Sequence, residues 1–167
     1  DPEPARPRAQ QSRIRKDSAG IPEFVLVRSS ESGNGQDILI TQADIRQLQL
    51  AKAAIMSGVV ALQQVMGIDD DGISELLISG GFGNYLNIRS ARRVGIIPDL
   101  PPSRICFVAN AAGLGAQLAL LSDTDREQAA TLGQQVTHIP LPSYPDFQQI
   151  FVDAITFPAK IQEYQDE

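Results

Sequence analysis

The hydrophobic positions of this chain follow two periods. Residues 23–29 (EFVLVRS) and 37–41 (DILIT) are short runs rich in β-branched residues, separated by the polar, glycine-rich SSESGNGQ. Such runs on either side of a turn predict an antiparallel hairpin, and SRIRK before them predicts a weaker strand. From Thr41 the period changes. Ile45, Leu48, Ile55, Val59, Leu62 and Met66 recur at helical spacing, and Ala54, Gly58 and Ala61 form a second, small-residue stripe. The spacing predicts a helix over 42–66 buried from two sides. Its start is marked by T-Q-A-D, where Thr41 precedes an acidic residue three positions on. Its end is marked by Gly67, followed by the turn IDDDG.

Beyond the helix the apolar runs become continuous. ELLIS (75–79) and RICFVA (104–109) predict strands covered on both faces, as in a parallel sheet. The first enters Gly80-Gly81-Phe82-Gly83-Asn84 and then a short helix with Arg89, Arg92 and Arg93, ending near Gly95. The second enters Asn110-Ala111-Ala112-Gly113-Leu114-Gly115 and a helix to about Leu121. A polar-faced helix over 124–135, a strand at VTHIPL (136–141) and a helix over 145–156 with Phe147, Phe151 and Ile155 inward complete the order β-β-(β)-α-β-α-β-α-α-β-α. Antiparallel strands first and strand–helix units later predict an α/β fold, a mixed sheet with helices on both faces.

The two strand–glycine–helix junctions carry the candidate chemistry. A parallel strand delivers the chain to the sheet edge where ligands bind. Glycines there let backbone N–H groups approach a ligand, and a helix start beyond offers unpaired donors suited to phosphate. Tight turns use the same glycines, so the residues alone leave both readings open.

Charge and composition narrow the classes. Residues 1–16 carry a net +3 and the rest −9, within a total of −6 over 167 residues. An acidic body excludes nucleic acid as the main partner. The Pro- and Arg-rich residues 1–12 read as a linker, and 159–167 as a tail. No apolar run in the sequence approaches a bilayer span, so no membrane association is expected. Cys106 is the only cysteine and His138 the only histidine. That excludes internal disulfides and multi-cysteine metal sites, and no metal site is expected. Cys106 reads as a small buried residue and His138 as structural. Asp69-Asp70-Asp71 reads as a turn, since the ligand spacing of a calcium loop is missing.

LLISGGFGNY resembles the adenosine motif of the actin, sugar-kinase and heat-shock chaperone (ASKHA) superfamily, and FVANAAGLGAQLAL resembles the strand–helix element after it. The run ITQADIRQLQLAKAAIMSGV…LLISGGFGNYLN…ARRVGIIPDLP…NAAGLGAQLALLS is similar to one family within it, the ATP-dependent reductive activators of corrinoid proteins. The resemblance covers residues 13–158 and implies the C-terminal half of an actin-like, RNase H-like ATPase module. The implied ligand is ATP or ADP, with magnesium in the intact protein. The implied partners are a corrinoid (cobalamin) protein as client and the remainder of the chain's own polypeptide, in the cytoplasm. The resemblance also implies an N-terminal domain with an iron–sulfur cluster, expected outside this chain, whose one cysteine cannot hold a cluster. The phosphate loops and catalytic acid are implied to lie in the other half, so no catalytic residue is assigned here.

Position by position, Gly80, Gly81, Phe82 and Gly83 match the adenosine motif, and the resemblance implies that Asn84 holds its turn. Lys52, with Gln49 nearly one turn earlier, lies on the helix that borders the adenine pocket in this superfamily; the alternative is a solvated polar edge. Asn110, Gly113 and Gly115 match the second turn; the alternative is tight strand-to-helix packing. Arg89, Arg92 and Arg93 read as a solvated helix face. Two other functions stay open: an ATPase acting on another metalloenzyme or as a hydantoinase-like enzyme, and a non-catalytic docking domain.

Overall fold

The computed structural model describes residues 13–81 and 85–159. The chain divides into two compact units at Leu50.

The first unit holds β1 (Ile14–Lys16), β2 (Pro22–Val27) and β3 (Ile38–Ile40), an antiparallel sheet in the order β1-β2-β3. Ile14 faces Phe24, Phe24 faces Ile40, and a bulge lies between Val25 and Val27. Val25 is its buried apolar residue. Arg15 reaches across the strands to Glu23 at 2.7 Å and Asp37 at 2.6 Å. Asp37 also accepts from the backbone N–H of Ser29, and these bonds hold its carboxyl below the usual carboxylate range.

Helix α1 (Gln42–Met66) opens with the expected capping box. Thr41 Oγ1 accepts from the Asp44 N–H at 3.2 Å, while Asp44 accepts from the Thr41 N–H at 2.8 Å and its hydroxyl at 2.7 Å. The same bonds lower the Asp44 pKa. Gly67, at φ +66°, ends the helix. The small-residue stripe is shifted by one position from the expected one at its first two members. Ala53, Ser57 and Ala61 are fully buried, with four-residue spacing, whereas Ala54 is exposed and Gly58 half-buried. Ser57 escapes a burial penalty because its hydroxyl donates to the Ala53 carbonyl at 2.7 Å. The large residues Leu48, Ile55, Leu62 and Met66 stay exposed, so burial from both sides is not what α1 shows. The expectation on bilayer length also needs correction. With 25 residues and a mean hydropathy of 1.2 over its most apolar window, α1 is long and apolar enough to cross a membrane. Core helices of globular domains meet the same criterion, and α1 buries Lys52, Ala53, Ser57 and Ala61 while several of its large apolar residues stay exposed.

In the second unit β4 (Leu76–Ser79) and β5 (Ile105–Val108) are neighbouring parallel strands, in register from Leu76↔Ile105 to Ser79↔Val108. Among the described residues the strands thus form two sheets, an antiparallel and a parallel one, where the sequence predicts one mixed sheet. Strands of three and four residues offer few ladder bonds, and every residue of β1 is exposed. Between them lie α2 (Ile88–Val94), capped by Asn87 and ended by Gly95 at φ +74°, and a 3-10 turn at Pro102–Arg104. A side chain at Gly95 would meet Pro158 at 2.8 Å, so this glycine is required twice over. Then follow α3 (Ala111–Leu121), α4 (Asp123–Gln135) and α5 (Phe147–Ile155). VTHIPL is not a strand. Residues 136–140 are irregular and a 3-10 turn follows at Leu141–Ser143, since Pro140 and Pro142 lack ladder donors. His138 is exposed there, and Phe147, Phe151 and Ile155 of α5 are half-buried around the deeper Ile150.

Candidate functional site

Because β4 and β5 are parallel and in register, their two strand ends emerge side by side. At the first end Gly80 sits at φ +84°, a conformation side chains resist. Among the described residues a Cβ at Gly80 or Gly81 would meet nothing within 4 Å, so none of them fills the space beside this backbone. Gly81 lies outside the left-handed region. Phe82, Gly83 and Asn84 fall outside the described residues.

At the second end the space is filled. Asn110 caps α3, its Oδ1 accepting from the Gly113 N–H at 2.9 Å. A Cβ at Gly113 would lie 2.6 Å from Asn110 Nδ2, so the cap needs a glycine there. Gly115 faces open space within α3. This geometry gives Asn110 and Gly113 a role in capping α3, which differs from the strand-to-helix packing expected as the alternative to ligand contact.

Ser79, not among the residues expected at the site, joins the two ends. Its hydroxyl donates to the Ala109 carbonyl at 2.9 Å and accepts from the Ala111 N–H at 3.2 Å. The Gly80 N–H reaches the same carbonyl at 3.4 Å. The available signal was a hydroxyl residue closing an apolar strand immediately before a Gly-Gly pair.

Lys52 is not a solvated edge. It is only 3% exposed, and its Nζ donates to the carbonyls of Ala154 at 2.5 Å and Thr156 at 2.7 Å, at the end of α5. The ammonium also lies 5.8 Å from the centre of the Phe157 ring. Burial pushes its pKa below the usual lysine range. Lys52 lines a cavity of about 450 Å³ with Met56, Val60, Arg92, Ile97 and Ile150, and neither Gly80 nor Gly81 is among its lining residues. Gln49, on the part of α1 that belongs to the first unit, is half-buried.

Arg89 and Arg93 are exposed as expected. Arg92 is not: it is 5% exposed and holds Asp99 Oδ1 through Nε at 2.8 Å and an η nitrogen at 2.5 Å. A buried guanidinium requires such a partner, and Asp99 lies seven residues away beyond the αL turn at Gly95. Asp69 caps the 3-10 turn Asp70–Gly72, as a turn residue should. Among the described residues no three His, Cys, Asp or Glu side chains cluster to hold a metal, and Cys106 is half-buried in β5.

The family described as the C-terminal domain of RACo, the ASKHA domain, matches residues 3–166. The chain is 37% identical over 129 residues to the corrinoid activation enzyme RamQ of Eubacterium limosum, a match covering 77% of this chain and 22% of that protein. A solved reductive activator for corrinoid, iron–sulfur protein superposes with a TM-score of 0.74 at 37% identity, covering 90% of this chain and 24% of the other. The chain therefore spans about a quarter of the length of the relatives it matches. Its fold is the actin-like α/β fold that the Gly-Gly strand ends suggest, and the chain belongs to the RACo C-terminal ASKHA domain family.

Proposed function

We propose that this domain supplies one wall of the ATP cleft in an ATP-dependent reductive activator of a corrinoid protein. The observation that carries the reading is the pair of adjacent strand ends, one of them an open glycine backbone at Gly80–Gly81. Those two residues fit a nucleoside because no Cβ stands between the backbone and whatever lies against it. In this reading Gly80 and Gly81 hold the adenosine moiety, with Phe82, Gly83 and Asn84 continuing the motif in sequence. The capping of α5 by Lys52 favours an indirect role for that side chain, fixing α1 rather than touching the base. Asn110, Gly113 and Gly115 shape the second turn.

ATP with magnesium, when bound, supplies the hydrolysis free energy that drives an electron onto an inactive cobalt(II) corrinoid. The iron–sulfur donor and the groups acting on the phosphates belong to other parts of the polypeptide. The isolated chain is accordingly expected to hydrolyse little or no ATP, and the intact protein to work in the cytoplasm. A docking role has support of its own. Leu114, Leu118, Leu120 and Leu121 of α3 are exposed, Leu121 to 84%, which suits a surface covered by the rest of the polypeptide or by the client.

The test is an equilibrium titration of ADP into the intact protein and into its Gly81→Val variant. Loss of binding in a well-folded variant supports the assignment. Wild-type affinity in that variant removes it and moves the docking role ahead.

A further inference from the structure

Resting on the nucleotide reading, we infer that Ser79 is a positioning residue for nucleotide, a hydroxyl latch that holds the open glycine turn against the start of α3. The first N–H groups of a helix have no partner within it. Asn110 satisfies one of them, the N–H of Gly113. The N–H of Ala111, the first residue of α3, makes a short-range contact to the Ala109 carbonyl at 2.8 Å and points also to Ser79 Oγ at 3.2 Å. Its second acceptor therefore comes from the neighbouring strand.

The same hydroxyl donates its own proton to the Ala109 carbonyl, which also receives the Gly80 N–H. Both turns thus share one carbonyl and one hydroxyl. Gly80 stands at φ +84°, and nothing packs against the position where its side chain would be. A left-handed turn with few packing contacts among the described residues is tied to its neighbour by these polar contacts to Ala109. A ligand that binds the Gly80–Gly81 backbone needs the turn's direction fixed in advance, because ordering the turn on binding subtracts from affinity. The latch also gives the turn a route to α3: a shift at Gly80 is felt at Ala109 and Ala111.

The test uses the intact activator with Ser79→Ala and Ser79→Thr, and Gly81→Val as a reference. For Ser79→Ala the expected result is an ADP Kd raised about five- to tenfold, as for loss of one interaction of about 1 kcal/mol. The KM for ATP should rise in parallel, with kcat and unfolding temperature nearly unchanged. Ser79→Thr, which keeps the hydroxyl in a residue suited to a strand, should restore affinity. Amide exchange at Ala111 should slow on ADP binding in the wild type and lose that response in Ser79→Ala. If Gly81→Val abolishes binding while Ser79→Ala leaves Kd unchanged, the latch is overturned and the nucleotide reading stands. If affinity falls only as far as stability falls, or threonine fails to restore it, the latch is likewise overturned. If the wild type does not bind ADP, or Gly81→Val binds it normally, the nucleotide reading fails first.

Discussion

The two strand ends of the parallel ladder look alike in sequence, and the structure makes them opposites. Each is an apolar strand running into a glycine-bearing turn ahead of a helix. At Gly80–Gly81 the missing side chains leave the backbone open. At Gly113 the missing side chain makes room for Asn110, so the glycine serves the helix's own cap. A glycine at the edge of a parallel sheet is therefore not evidence of a ligand by itself. What matters is whether the space it vacates is already occupied by the chain.

Substitutions at the two ends should separate accordingly. The largest effect is expected for Gly81→Val in the intact protein. Nucleotide affinity should fall about a hundredfold or more, equivalent to about 2.7 kcal/mol, with little change in stability. Gly81 has no left-handed backbone and no neighbour for the new side chain to strike. Gly113→Val should do the reverse: thermal or urea unfolding should register a loss of about 1–3 kcal/mol, with the affinity of the folded protein retained. A marked affinity loss there would mean that both ends contact the ligand.

A smaller effect sharpens the explanation of the second end. Asn110→Ala should cost about 1 kcal/mol through the lost cap. Gly113→Ala in the native background should give little gain, because the Cβ displaces that cap. In the Asn110→Ala background it should stabilise by about 1 kcal/mol, as alanine usually does in a helix. A double-mutant cycle measures this coupling, and simple additivity would show that Asn110 does not set the glycine requirement. Smallest is Gly115→Ala, expected to stabilise by about 0.5–1 kcal/mol without changing nucleotide affinity, since its position in α3 is open. Weakened binding would return Gly115 to the ligand site.

Local patterns made much of this legible in the sequence. α1 ends where its period and caps say, because Thr41–Asp44 and Gly67 are local devices. The parallel pairing of β4 and β5 followed from two continuous apolar runs joined through a helix. What escaped depended on partners distant in sequence. VTHIPL has strand-like residues but its prolines lack ladder donors. Lys52 reads as an adenine-pocket residue or a polar edge until the end of α5, over a hundred residues on, supplies two carbonyls. Arg92 reads as solvated until Gly95 turns the chain and brings Asp99 back to it. At the site, the glycines were visible, but whether each was open or filled was not. Ser79 was invisible in its role, since a serine ending a strand acquires meaning only when the parallel neighbour sets Ala109 and Ala111 beside it.

The central claim is that the open strand end, not the filled one, meets the nucleotide. A crystal structure of the intact protein grown with ADP tests it most directly. The account predicts adenosine packed on the backbone of Gly80 and Gly81, with Asn110 still bonded to the Gly113 N–H. Nucleotide bound elsewhere with Gly80–Gly81 facing solvent, or Asn110 swung off its cap to hold the ligand, would contradict it.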